Sequence, residues 1–298
     1  MSIKNVALTG ASGSLGVVVF KRLAAASDLN LKILRRHGSK STFPANVQVV
    51  DVDFDSVESL TAALAGQDAL VSTISSEHIA AQKNLVDAAL SAGVKRFIPS
   101  DFGSDMANEH NQRLPVFQPK AEIRSSLIEK AKSTETTYTF VYNGAFLDWG
   151  IERSFLINPS GDKTRVVEGG DIPFSTTTLA SVADAVYGVL KHPEETKNRA
   201  VYIEDAKVTQ NQLLRLAKQA APSKSWDVEH VTLDEITGAA DKRLAQGLLD
   251  FHTFVPYIYR AIFGAENHGS FERNDNELLG LKGKTDEEVA EVVKQYVK

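Results

Sequence analysis

The chain of 298 residues has no cysteine. That removes disulfides, thiolate zinc sites, iron–sulfur clusters and cysteine nucleophiles. It also lacks an excess of positive charge: 33 Lys and Arg against 38 Asp and Glu leave a formal net charge of -5. A phosphate-backbone binder normally presents a basic face, so nucleic acid is not an expected partner. No stretch approaches the ~20 apolar residues that span a bilayer. The start of the chain runs straight into a strand pattern, with no long apolar signal core. No membrane association is expected, and a cytoplasmic location is the default. The seven histidines show no ligand spacing such as HExxH, so no metal is expected. Internal repeats, low-complexity tracts and long linkers are absent as well.

What remains is an ordinary globular balance, 43% hydrophobic and 24% charged. Val6, Ala7 and Leu8 read as a strand that ends at a glycine turn, and Val17 to Ala26 as a helix. The β-branched run in that helix is a poor helix former alone, so packing on a sheet must hold it. Leu31–Leu34, Val47–Val52, Ala69–Ile74, Arg96–Pro99 and Tyr138–Tyr142 read as further strands. Helices are expected between them: one with Asp55 as N-cap and Glu58 three positions on, then 80–92 and 120–132. Strands alternating with helices mean βαβ units and a doubly wound parallel sheet of Rossmann type. After Gly150 the rhythm loosens. Leu179–Leu190 reads as a helix and Val201–Ile203 as a strand returning to the sheet. Thr209 with Gln212 and Thr285 with Glu288 predict capping boxes for two later helices.

The turn Gly10, Ala11, Ser12, Gly13, Ser14, Leu15, Gly16 sits between a strand and a helix. Without a Cβ, backbone can turn tightly and approach a pyrophosphate, while the helix start offers free N–H groups and a positive dipole end. This context makes a dinucleotide the expected ligand. The second strand selects which one. An NAD site usually places an acidic residue about 20 residues past the loop. Here the strand ends in Arg35 and Arg36, with Lys40 close behind. Cations there suit a 2′-phosphate, so NADP(H) is the expected cofactor.

With these residues in place the chain resembles the NmrA-like and isoflavone-reductase-like family of atypical short-chain dehydrogenases, and within it the fungal NmrA-like branch. The resemblance rests on the glycine turn, on Leu34-Arg-Arg36, and on Arg96-Phe-Ile-Pro-Ser-Asp-Phe-Gly103, which is very like the family's "RFIPSEFG" segment. Pro173–Thr178 and Val208–Leu214 add to it. The resemblance implies an NAD(P)-binding domain over 1–150, with 177–205 returning to its sheet, and a smaller, mostly helical substrate or lid region over 151–298. It implies that Gly10 to Gly16 hold the pyrophosphate, and Arg36, with Arg35 or Lys40, the 2′-phosphate. Asp53 and Phe54 would flank the adenine; Thr73, Ile74 and Ser75 would line ribose and pyrophosphate. Asn143, Gly144 and Phe146 would face the nicotinamide, and Phe102, Gly103, Phe146 and Trp149 the substrate. Lys120 takes the place of the family's lysine on the helix after strand five, where its ammonium would touch the nicotinamide ribose and protonate or polarise the substrate.

Other residues compete for attention. Tyr187 and Lys191 have the Tyr-x-x-x-Lys spacing of ordinary short-chain dehydrogenases. They fall on a helix beyond the expected catalytic one and are read as accidental. His37 adds to the basic turn, and His110 is expected to be a solvated loop residue. Asp101 and Asp105 would need further ligands to hold a metal. Phe174 and the Phe251–Phe263 aromatics fit an aromatic pocket and core packing equally well.

Two functional readings follow. One is an NADPH-dependent reductase that passes hydride to a small aromatic, enone or carbonyl substrate, with Lys120 as proton donor or polarising group. The other is an NmrA-like sensor that binds NAD(P) and a protein partner without turnover, which needs unequal affinity for two cofactor forms.

Overall fold

A computed structural model describes residues 2–297. Strand β1 (Asn5–Thr9) enters helix α1 (Ser14–Ala24) through the glycine turn. Then come β2 (Asn30–Arg36), β3 (Gln48–Val52), α2 (Val57–Leu64), β4 (Ala69–Ser72), α3 (Gln82–Ser91) and β5 (Arg96–Ile98). A short α4 (Glu109–Gln112) precedes α5 (Gln118–Ala131) and β6 (Thr137–Tyr142). Beyond them lie β7 (Ala145–Phe146), α6 (Leu147–Glu152), β8 (Thr164–Val167), β9 (Phe174–Thr177), α7 (Leu179–Lys191) and β10 (Arg199–Tyr202). The chain closes with β11 (Ala206–Val208), α8 (Gln210–Ala220), β12 (Val228–Val231), α9 (Leu233–Ala245), α10 (Phe251–Phe263), α11 (Asn276–Leu279) and α12 (Asp286–Tyr296).

Seven parallel strands form the main sheet in the order β3-β2-β1-β4-β5-β6-β10. The order reverses between β1 and β4, so a crevice opens outside the carboxyl ends of these two strands. The expected return to the sheet is β10, whose Arg199–Tyr202 pair with Thr139–Tyr142 of β6. Helices α1 and α7 cover one face, α2, α3 and α5 the other. Val19 and Leu23 of α1 are fully buried against the sheet. At roughly 1.5–3 kcal/mol each, this burial outweighs the few tenths that the neighbouring valines cost the helix.

Capping departs from expectation in two places. Ser56, rather than Asp55, caps α2, because its Oγ accepts from the Ser59 N–H at 3.1 Å. Thr209 accepts from the Gln212 N–H at 3.0 Å, yet the Gln212 amide turns to Asp286, so only half a box forms. Thr285 and Glu288 make the full box.

The C-terminal region is mostly helical but carries two small sheets, β11-β9-β7 and β12-β8. Its aromatics form a second core: the Phe174 ring meets Phe263 edge-on at 5.4 Å, and Tyr259 stacks on Phe155 at 4.8 Å. Phe174, Tyr259 and Phe263 are thus used for packing, while Phe251 stands 61% exposed.

Candidate active site

The glycine turn is built under two steric demands. Gly10 has φ +78°, and a Cβ on it would lie 2.5 Å from the Thr73 carbonyl carbon; a Cβ on Gly16 would lie 1.9 Å from the Gly10 oxygen. Both are therefore required by the fold itself. Gly13 is not: its φ of -76° suits any residue, and a Cβ would meet nothing nearer than 3.5 Å. Gly13 is also the N-cap of α1, so no side chain satisfies the first N–H groups of Ser14, Leu15 and Gly16. The first turn carries no acidic residue. Ser12, Gly13 and Ser14 are exposed, while Ala11 is buried beneath them. A bare helix start whose glycine serves no packing need fits a phosphate group.

The two arginines of β2 point to opposite faces, as neighbours on a strand must. Arg35 is taken up within the sheet. Its guanidinium binds both oxygens of Asp51 on β3, at 2.6 and 2.9 Å, and donates to the Ser41 carbonyl at 2.7 Å. The Asp51 carboxylate holds Arg35 above its ordinary pKa. Arg35 thus commits three of its five N–H groups to the sheet itself, which leaves Arg36 the freer of the two for a ligand. Arg36 is exposed and its side chain makes no hydrogen bond or ion pair, and the Lys40 side chain is likewise exposed and unpaired. Past β3, Asp53 is exposed and its Oδ1 accepts from the Asp55 N–H, while the Phe54 ring packs against the α2–α3 core.

At the end of β4, Thr73 is buried and its hydroxyl bonds the Thr9 carbonyl at 2.8 Å, tying the two strands on either side of the crevice. The Ile74 carbonyl accepts from Ser100, and Ser75 is exposed beside His78. The Ser100 N–H in turn donates to the side-chain oxygen of Gln82 on α3, a buried residue with no signal in the sequence pattern.

The loop after β5 and the end of β6 are locked together. Gly103 donates to the Asn143 side chain at 2.9 Å, and its carbonyl accepts from the N–H groups of Asn143 and Gly144. Phe146 is half-buried and meets Trp149 edge-on at 6.4 Å; Trp149 packs on toward Phe155. The Phe102 ring, expected to face substrate, lies in the core between the sheet and α7. What Phe102 contributes is its carbonyl.

That carbonyl accepts from the Lys120 ammonium at 3.1 Å. Lys120 is the third residue of α5, behind Pro119, at a helix end where a cation is disfavoured. Burial pushes its pKa below the ordinary lysine value, and the Asp101 charge pushes it back up. In the sequence Asp101 suggests only a metal ligand short of partners, and among the described residues no group of three or more His, Asp or Glu side chains is placed to hold a metal. The structure gives it another setting. Its carboxyl is buried and raised to about 6, with Lys120 and Arg124 opposing the rise. Its Oδ2 accepts from the Tyr142 hydroxyl at 3.3 Å, which in turn accepts from Arg124 at 3.2 Å. Its Oδ1 has no partner at all.

Tyr187 and Lys191 lie elsewhere. Both bind Asp28, which precedes β2 on the rim where strands begin, and Arg22 stacks on the Tyr187 ring at 3.8 Å. They join α7 to α1 at the rim away from the crevice. His110 is half exposed in its loop, 3.3 Å from Glu266.

Residues 2–239 match the model of the NmrA-like family. The chain belongs to the NmrA-like family. A fungal relative, oxidoreductase aprR of Aspergillus flavus, is 34% identical over 99% of this chain and 100% of its own. The isoflavone reductase homolog IRL of Zea mays is 31% identical over 59% of this chain and 58% of its own. Among solved structures, the leucoanthocyanidin reductase–NADPH complex from Vitis vinifera superposes with a TM-score of 0.79 at 20% identity, covering 98% and 99% of the two chains. This NmrA-like chain thus shares a full-length architecture with that reductase, and it is an oxidoreductase like its fungal relative. No helix among its described residues is long and apolar enough to cross a membrane.

Proposed function

We propose that the chain is an NADPH-dependent reductase of small aromatic, enone or carbonyl compounds. The observation that carries this reading is Lys120, a half-buried ammonium held at the carboxyl end of the sheet by the Phe102 carbonyl. A sensor that only binds a dinucleotide has no need of a lysine kept partly desolvated beside a carboxylate. The residues present also fit the cofactor. The uncapped start of α1 would hold the pyrophosphate and the unpaired Arg36, with Lys40 nearby, the 2′-phosphate. Residues 1–150 with 177–205 would form the cofactor domain, and the rest of 151–298 the substrate lid. The relatives support this direction: the Vitis protein was solved with NADPH.

The reduced nicotinamide, when bound, supplies a hydride for the electrophilic carbon of the acceptor. The protein then has to neutralise the oxygen on which the electron pair arrives. Lys120 can do so by hydrogen bonding to that oxygen and giving it a proton, after which the neutral amine regains one from solvent. Its lowered pKa makes it a better acid than a free lysine near neutrality.

Calorimetric titration with NADPH, NADP⁺ and NADH, followed by a panel of enones and aromatic carbonyls assayed at 340 nm for cofactor oxidation, tests this. Tight NADPH binding, turnover of some panel member and its loss in Lys120→Ala are expected. Binding without turnover of any acceptor, with unequal affinity for NADPH and NADP⁺, would replace the reductase with the sensor.

A further inference from the structure

The buried carboxylate of Asp101 has no role in the mechanism above, and its surroundings are unusual. One oxygen has a single, long hydrogen bond from Tyr142; the other is buried with no donor. A buried acceptor left unsatisfied normally costs stability, and such groups are rare unless they serve a function. The charged groups that face it come from three elements. Lys120 and Arg124 stand on α5, Tyr142 on β6, and Asp105 on its own loop. Behind Tyr142, Tyr202 of β10 occupies Asp105 with a bond of 3.1 Å, and Arg273 lies beyond it. Arg124 spends its Nε on the Tyr142 hydroxyl. Lys120 has three donors and uses one of them, on the carbonyl of the residue next to Asp101.

We propose that Asp101 is a positioning residue for Lys120: its carboxylate keeps the lysine charged at the Phe102 carbonyl and so sets the highest pH at which Lys120 still donates a proton. The second half of this statement rests on the reductase reading; the first half does not. The chemistry is simple electrostatics in a site of low polarity. Burial alone drives a lysine toward its neutral form, and the charge of Asp101, which makes no direct ion pair with Lys120 but adjoins the carbonyl that Lys120 binds, favours the ammonium. Tyr142 and Arg124 do the same service for Asp101 by favouring its ionised form. The two groups therefore titrate as a coupled pair. Asp101 touches neither substrate nor cofactor in this scheme; it acts through Lys120.

The test reads the lysine directly. The full-length, cofactor-free protein is reductively methylated with ¹³C-formaldehyde, and the Lys120 signal, identified by its absence in Lys120→Arg, is followed through a pH titration. Asp101→Asn should lower the Lys120 midpoint by about one unit, a tenfold change in its charged fraction at fixed pH. Asp101→Glu, which keeps the charge, should restore most of it. In the wild-type protein the Lys120 signal should also show a small second step as Asp101 titrates, near pH 6. An Asn variant with an unmoved or raised midpoint overturns the proposal. So does a wild-type titration without the second step, which needs no variant to fold.

Kinetics then separate the two halves. The alkaline limb of the kcat profile should fall by the same interval in Asp101→Asn, with KM for NADPH unchanged. A midpoint that moves while that limb stays put removes Asp101 from proton donation. A midpoint that moves in a protein without turnover upholds the coupling and defeats the reductase reading instead.

Discussion

Arg96 opens strand β5 and Asp101 stands three residues beyond its end, and both are buried charges. They are treated in opposite ways. The Arg96 guanidinium donates to the hydroxyls of Thr137, Thr139 and Thr196 at 2.9–3.0 Å and to the Pro193 carbonyl. Burial lowers its pKa to about 10, which still leaves it charged at neutrality. Every acceptor is neutral, and the bonds join β5, β6 and the turn after α7. Asp101 has one long bond and one empty oxygen. The rim where strands begin thus spends a buried charge on holding the sheet together. The rim where strands end, which open α/β sheets use for ligands, leaves one incompletely satisfied.

The largest effect should come from breaking the satisfied charge. Arg96→Met removes four charge-assisted bonds and leaves the Pro193 carbonyl and one lone pair of each threonine hydroxyl without a donor, and a loss of about 3–5 kcal/mol is expected, at about 1–2 kcal/mol for each such bond less what the apolar side chain regains by packing. Asp101→Asn should cost less than about 1 kcal/mol, because it discards a charge that the fold satisfies poorly. Urea midpoints of the two variants measure this. Equal losses would erase the contrast between the rims.

Next in size is the pH dependence of stability. Burial pushes the folded Asp101 carboxyl up to about 6, above the ordinary aspartate value of about 3.9. The folded state therefore binds this proton more tightly than the unfolded chain. Its contribution to stability is fully present below about pH 4 and is lost as pH rises through 6, by on the order of 2–3 kcal/mol. Other carboxylates act with the opposite sign: Asp68 is held low overall by its N–H and lysine bonds despite partial burial, and Asp51 is held low by Arg35. The informative quantity is the difference between wild type and Asp101→Asn, which should widen in favour of the variant between pH 4 and 6. A flat difference would mean that Asp101 is ionised as easily in the fold as in water.

The basic end of β2 sharpens the same comparison within one strand. Arg36→Ala should weaken NADPH binding by roughly ten- to a hundredfold, the value of one charged hydrogen bond, and leave NADH binding almost untouched. Arg35→Ala breaks a partly exposed pair with Asp51 and should cost under about 1 kcal/mol of stability. Calorimetry with both cofactors decides. A larger NADPH loss in the Arg35 variant would mean that Arg35 leaves Asp51 for the phosphate.

These pairs also mark what can be read from a sequence and what cannot. The strands of the main sheet, the glycine turn and the return at β10 follow from local periodicity and from the residues a tight turn demands. Arg35 and Arg36 look alike in the sequence, because their difference lies in Asp51 across the sheet. Strand alternation together with a β2–β3 register would have separated them. Ser56 displaced Asp55 as the cap because two adjacent residues were both suitable and only backbone geometry chooses. Asp101 was visible as an acid at the carboxyl end of a buried strand, a position that already favours ligands. What sequence could not supply is the convergence of α5 and β6 on it, which brings Lys120, Arg124 and Tyr142 together from separate segments. The small sheets of the C-terminal region are built from strands of two to four residues. Such runs are too short to carry a period.

The smallest effect belongs to the motif that looks most catalytic. Tyr187 and Lys191 have the spacing of a short-chain dehydrogenase pair, but Asp28 and Arg22 employ them at the rim away from the crevice. The Tyr187 hydroxyl makes only long bonds, 3.2 and 3.4 Å, to a carboxylate that Lys191 already holds at 2.6 Å. The ring keeps its contact with Arg22 when the hydroxyl is removed. Tyr187→Phe should therefore change stability by no more than about 0.5 kcal/mol, the range of ordinary surface substitutions, and leave kcat and cofactor affinity within twofold. A fall in kcat of about a hundredfold or more, the scale of a lost general acid, would bring this pair back into the mechanism and take Lys120 out of it.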